Sequence, residues 1–146
     1  MIKTFTHQTP PSNSEKENIV SFLFDQLERY GDPADDIKKA IDYALQIDNK
    51  PGGIVITSWD ENILTGAVVI NKTGMDSYIP ENILVYIATH RDYRGKGLGK
   101  ELMKIAINTT EGDIALHVDP DNPAIRLYEK LGFVNKYLEM RLKKEK

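Results

Sequence analysis

The chain has 146 residues, a formal charge of −3 and no cysteine. That length predicts one domain over residues 1–146, burying about two-thirds of its unfolded surface in a single core. The acidic balance argues against a nucleic-acid partner, the missing cysteines exclude a disulfide framework and a thiol nucleophile, and no run of about 20 apolar residues is present to cross a membrane.

The N-terminal residues Met1–His7 lack a basic segment followed by an apolar one, so no secretory signal is expected and a cytoplasmic location is the simplest reading. Ile2 to His7 alternate apolar and polar, as a short first strand does. Thr9-Pro10-Pro11-Ser12-Asn13 breaks the chain. Ser14 and Glu17 then form a capping-box pair, ahead of a helical stripe of Ile19, Phe22, Leu23 and Leu27 that stops at Gly31. A second helix is expected with Asp32 as its cap and Pro33 in its first position, running through Ile37, Ile41 and Leu45. Pro51-Gly52-Gly53 ends it and opens a strand, Ile54 to Ser58. Asp60-Glu61-Asn62 supplies turn chemistry, so Ile63 to Ile70 is expected to return as an antiparallel partner.

After a loop over residues 71–77 comes Asn82 to Thr89, whose β-branched and aromatic run Ile83 to Ala88 predicts a strand buried on both faces. A helix follows, with Leu98, Leu102, Ile105 and Thr109 at helical spacing. Glu111-Gly112-Asp113 leads into a fifth strand, Ile114 to Val118. Asp121 or Asn122 is expected to cap a helix begun by Pro123 and stopped by Gly132. Phe133-Val134 and Tyr137 to Leu142 would be the last two strands. The order β-α-α-β-β-β-α-β-α-β-β predicts an α/β or α+β domain with a mixed, mostly antiparallel sheet of about seven strands flanked by about four helices.

The stretch between the central strand and its helix, His90 to Lys100, carries the functional signal. Glycines there permit positive φ and remove the Cβ that would hold a ligand away, so successive N–H groups can converge on one anion. They also lie at the positive end of the following helix, which favours a phosphate or pyrophosphate. Arg94, Lys96 and Lys100 would add charge-assisted contacts. The plain alternative is a glycine-rich connection with no ligand. A P-loop needs Lys-Ser/Thr after its last glycine, whereas Gly99 is followed by Lys100-Glu101, and the spacing of Gly95, Gly97 and Gly99 does not fit a dinucleotide fingerprint.

Arg94-Gly95-Lys96-Gly97-Leu98-Gly99 resembles the Arg/Gln-x-x-Gly-x-Gly/Ala signature of the GNAT superfamily of N-acetyltransferases, which binds acetyl-coenzyme A. A second segment, Asn122 to Phe133, is similar to the family's run of an Asn followed by Ala-x-x-x-Tyr-x-x-x-Gly-Phe, here Ala124, Tyr128, Gly132 and Phe133. The resemblance is close over the C-terminal half and extends to the N-terminal half only in its order of elements. It implies a sheet splayed open between strands four and five, with the pantetheine arm in the gap. Backbone groups of Ile87, Ala88 and Thr89 would hold that arm, and Arg94, Gly95, Lys96, Gly97, Leu98, Gly99 and Lys100 the phosphates, with Asn122 also on the cofactor. The implied donor is acetyl-CoA, with no metal.

Acetyl transfer to an amine needs a held thioester, a neutral amine and a proton for the departing thiolate. Tyr128 stands at the family position of the general acid; its other reading is a core tyrosine on an amphipathic helix. A phenol of pKa about 10 is protonated at neutral pH and can serve a thiolate whose conjugate acid titrates near 8 to 9. Where some family members carry a glutamate base, this chain has Ile83, which leaves the base open: Glu81 lies two residues earlier on the same strand face, and His117 sits on the fifth strand. Both also have plain readings, as a strand-end carboxylate and a packing histidine, and water alone is the alternative carrier of the proton. His90 is assigned a structural part. Asp32, Asp35 and Asp36 could attract a cationic acceptor, though acidic residues suit a helix's first turn in any case.

The resemblance thus implies an N-acetyltransferase acting on a primary amine of a small molecule or peptide, with a homodimer allowed by family habit. Its alternative from another class is a GNAT-fold module that binds acetyl-CoA or CoA without turning it over. A third, an unrelated phosphate-binding domain, does not account for Asn122 to Phe133.

Overall fold

The structure is a computed structural model and describes residues 1–145. Five strands form one sheet in the order β1-β2-β3-β4-β5: β1 (Ile2–Phe5), β2 (Gly53–Asp60), β3 (Ile63–Lys72), β4 (Asn82–Thr89) and β5 (Ile114–Leu116). The first four pair antiparallel, and β5 joins β4 in parallel. Four helices flank the sheet: α1 (Asn13–Leu27), α2 (Ala34–Ala44), α3 (Leu98–Thr109) and α4 (Ile125–Lys130). No helix among the described residues is long and apolar enough to cross a membrane.

The helices cover opposite faces. Ile19, Phe22 and Leu23 of α1 and Ile37 and Ile41 of α2 pack on Phe5, Val55, Ala67, Val69, Tyr86 and Ala88. Leu102, Met103 and Ala106 of α3 and Tyr128 of α4 pack on Ile54, Ile56, Val68, Ile70 and Leu84. Strands β2 and β3 therefore point apolar side chains to both sides, as strands covered on both faces must.

The central strand departs from simple alternation. Val69 stands opposite Tyr86 and Ile70 opposite Leu84, which leaves Val85 as a bulge. The extra residue turns the pattern over, so Leu84 faces α3 while Tyr86 and Ala88 face α1 and α2. The expectation of a strand buried throughout holds only for alternate residues: Asn82, Leu84, Tyr86 and Ala88 are buried, and Ile83, Val85, Ile87 and Thr89 are half-buried. On the β5 side only Asn82, Ile83 and Leu84 have strand partners, so β4 from Val85 to Thr89 has an open edge. This is the expected splay between strands four and five.

Several boundaries differ from expectation for local reasons. The capping box of α1 uses Ser12 and Glu15: the Glu15 amide donates to Ser12 Oγ (3.0 Å) and the Ser12 amide to Glu15 Oε1 (2.9 Å). Starting two residues earlier, just past Pro10 and Pro11, adds hydrogen bonds that a start at Ser14 would forgo. β1 stops at Phe5 because Thr6 and Thr9 exchange backbone hydrogen bonds in a turn. Among the described residues the strand count is five, where about seven were expected: Phe133-Val134 and Tyr137 to Leu142 form no strands. Leu138, Met140 and Leu142 alternate as strand residues do, yet all are more than 80 % exposed. Alternation fixes which face would be apolar; it does not bring a sheet edge within reach.

Candidate active site

Gly95 and Gly97 hold φ of +79° and +81°, the left-handed region that costs an L-residue about 1 kcal/mol or more. A Cβ built on either would meet nothing within 4 Å. Space lies above the turn, open to a ligand. Helix α3 starts immediately afterwards with no side-chain cap, and its first backbone hydrogen bond is Glu101 N–H to Gly97 O (3.0 Å). The amides of Leu98, Gly99 and Lys100 therefore belong to the set that a helix start leaves without intrahelical acceptors. Twelve residues of aligned peptide dipoles stand behind them. Lys96 and Lys100 are exposed beside this opening, and Lys100 lines a groove of about 390 Å³ along α3 with Gly97, Lys104 and Asn108. The donor set fits a pyrophosphate.

Arg94 does something the sequence did not indicate. Its Nε donates to Thr89 O (3.2 Å) and its Nη2 to Gln26 O at the end of α1 (2.8 Å). The Gln26 side chain accepts from the Arg91 amide (3.0 Å). The three-residue helical turn between them, Arg91–Tyr93, is capped by His90, whose Nδ1 accepts from the Asp92 amide (3.1 Å). His90 thus caps this turn.

The other wall of the opening is built by α4. A Cβ on Gly99 would touch Leu127 Cδ2 at 3.5 Å and Thr89 Cγ2 at 3.9 Å, so the start of α3, the end of β4 and the middle of α4 meet there. Ile87 packs against the same apolar cluster as Tyr128. Tyr128 is 9 % exposed, with its ring edge-on to Phe133 (centroids 5.8 Å apart). Its hydroxyl makes no hydrogen bond among the described residues, and its oxygen is not sealed from solvent. Burial raises the phenol above its ordinary value, which keeps it protonated. Asn122 stands before α4 and its Oδ1 accepts from the Ala124 amide (2.9 Å); this turn delays the helix to Ile125, two residues later than Pro123 suggested.

The two base candidates fall apart in space. Glu81 sits before β4, eight residues from Thr89, or roughly 25 Å along the strand. Its carboxylate accepts from the Asp113 amide (2.9 Å), a bond that holds its pKa below the usual glutamate range. It lines a different cavity, of about 750 Å³, with Gly53, Ile70 and Thr110. His117 is exposed one residue beyond β5, on the far side of the open edge.

The connection from α1 to α2 closes the remaining side. Asp32 does not cap α2, whose N-cap is Pro33, because its carboxylate accepts from the Tyr86 hydroxyl (2.6 Å). Arg29 pairs with Asp121 (2.8 Å) and the Tyr30 hydroxyl donates to Asp121 O (3.2 Å), tying this connection to the loop before α4. Asp35 and Asp36 are exposed in the first turn of α2. Sequence reading missed Gln26 and Tyr86. The signal for Gln26 was present: a polar residue seven positions after Ile19 on the buried stripe of α1.

The fold is shared with solved acetyltransferases. A ribosomal-protein-alanine N-acetyltransferase from Brucella melitensis biovar Abortus 2308 superposes with a TM-score of 0.64 at 16 % identity, over 98 % of each chain. An aminoglycoside N-acetyltransferase in complex with CoA gives 0.69 at 19 % identity, covering 99 % of this chain and 93 % of that one. The NatC complex bound to Gag peptide and CoA contains a chain similar at 0.69 and 19 % identity, over 92 % and 84 %. Residues 17–133 match the model of the acetyltransferase (GNAT) family, spanning the glycine turn, the open edge and Tyr128, and the chain belongs to that family.

Proposed function

We propose that the protein is an acetyl-CoA-dependent N-acetyltransferase that acetylates a primary amine of a small molecule or peptide. The observation that carries this reading is the open edge of β4 from Val85 to Thr89, which leads from the Tyr128 cluster to the glycine turn. Acetyl-CoA supplies an activated acyl group and a thiolate leaving group. The amides at the start of α3, with Lys96 and Lys100, are suited to its pyrophosphate. The edge of β4 away from β3, at Ile87, Ala88 and Thr89, is suited to the amide-rich arm, as an edge strand is to an added strand, with the Thr89 carbonyl already engaged by Arg94. Asn122 lies on the facing wall. The Tyr128 phenol, buried, protonated and unpartnered, donates a proton to the departing sulfur. Of the two candidate bases, we assign proton removal from the amine to His117 or to water, because Glu81 is engaged at the other end of β4. CoA-bound relatives support the donor, and relatives named for ribosomal-protein-alanine and aminoglycoside N-acetylation, with one bound to a peptide, support the class of acceptor.

Free-thiol release from acetyl-CoA across a panel of amines tests the reading. Turnover with at least one amine is expected. Tight CoA binding with no thiol release from any amine would instead identify a binding module, and no binding at millimolar CoA would remove the donor assignment.

A further inference from the structure

We infer that Gln26 is a positioning residue for the phosphate turn. It lies on the buried stripe of α1 with Ile19, Phe22 and Leu23, at 9 % exposure, where an apolar side chain of the same size would pack as well. Its amide is explained by what it meets: Oε1 accepts from the Arg91 amide at 3.0 Å. The same residue's carbonyl accepts from Arg94 Nη2 at 2.8 Å, while Arg94 Nε reaches Thr89 O at 3.2 Å. One residue of α1 therefore holds both ends of the Arg91–Arg94 segment, once through its side chain and once through its backbone.

The physical need for such an anchor follows from the glycines. Gly95 and Gly97 have no side chain and nothing within 4 Å of where one would start, so the turn cannot be fixed by its own packing. Its geometry is inherited from its flanks. Downstream, α3 supplies one rigid flank; upstream, the segment is fixed by Gln26, His90 and Arg94. The carbonyl of Gln26 lies in the last turn of α1, among those left without helical donors, where a cation is favourable. Arg94 is thereby committed in part to α1 and β4, and the phosphate-facing work passes to the backbone amides and to Lys96 and Lys100.

This inference rests on the proposed CoA site for its consequence in binding, and on the hydrogen bonds alone for its consequence in the free protein. Gln26→Met removes the acceptor at nearly constant volume; Gln26→Glu keeps an acceptor oxygen for the Arg91 amide. In the free protein, Gln26→Met should speed amide hydrogen exchange through residues 91–97 and leave β2 and β3 unchanged, and Arg94→Gln should do the same. In calorimetric titration with CoA, Gln26→Met should raise Kd between about threefold and tenfold, the worth of one hydrogen bond. Gln26→Glu should stay within about twofold of wild type. Unchanged exchange in both variants would overturn the inference, as would a loss of CoA affinity that Gln26→Glu fails to rescue. Failure of the wild-type protein to bind CoA would remove the proposed function while leaving the exchange result to decide this one.

Discussion

The hydroxyl of Tyr86 donates a 2.6 Å hydrogen bond to Asp32 Oδ2, joining the centre of β4 to the connection between α1 and α2 across 54 positions of sequence. The bulge at Val85 is what turns Tyr86 toward that connection, since without it Leu84 and Tyr86 would share a face. Asp32 in turn forgoes the cap of α2 that its position suggested.

The Tyr86–Asp32 bond has a measurable cost of removal. Tyr86→Phe should lose about 1 kcal/mol of stability in urea denaturation at pH 7, because Asp32 is exposed and rehydrates when released. Burial, then the Asp32 carboxylate, raises the Tyr86 phenol above its ordinary value. A group raised on folding contributes fully below its unfolded pKa, about 10, and loses that contribution as pH rises through the folded value. Wild-type stability should therefore fall above about pH 10 more steeply than that of Tyr86→Phe; parallel curves would show that the bond carries no linkage.

Tyr128→Phe keeps the ring that packs on Phe133 and deletes a hydroxyl with no hydrogen-bond partner among the described residues. Stability should change little. Thiol-release turnover should drop at least about tenfold, as expected for loss of a general acid, with Kd for CoA within about twofold. Equal turnover would take Tyr128 out of the mechanism.

Gly97 combines positive φ with open space above it. Gly97→Ala should fold, at a cost of about 1 to 2 kcal/mol for the left-handed backbone, and its methyl would stand where an anion is expected. Gly97→Trp should abolish CoA binding in a protein that still unfolds cooperatively. Wild-type affinity in both variants would move the phosphate site elsewhere.

Asp42 of α2 forms an ion pair with Lys16 of α1, which joins the two helices, and a second one within α2 with Lys38 (2.9 Å). Partial burial opposes ionisation of Asp42, but the two lysine hydrogen bonds outweigh it and hold the carboxyl below the ordinary aspartate range. Stability from a depressed carboxyl is present above its unfolded pKa, near 4, and is lost as pH falls through the folded value. Asp42→Asn should be roughly 1 kcal/mol less stable at pH 7, a difference that should shrink progressively in thermal melts carried below about pH 4. A constant difference across that range would mean packing, not charge, sets the effect.

Much of this protein was legible in its sequence because the information is local. Helical stripes such as Ile37, Ile41 and Leu45, the strand runs around Val55 and Val69, and the glycines after Arg94 each state their conformation within a few residues, and family membership followed from the last of these together with Ala124 to Phe133. The tertiary structure alone decided which of several satisfactory partners a polar group takes. Asp32 went to Tyr86 in place of a helix cap, Arg94 to the carbonyls of Thr89 and Gln26, and Glu81 to the Asp113 amide at the far end of the strand. Leu138, Met140 and Leu142 carried a strand pattern with no edge to receive it. Patterns of hydrophobicity constrain one element at a time, whereas hydrogen bonds between distant segments depend on a bulge or a crossover that no short window of sequence contains.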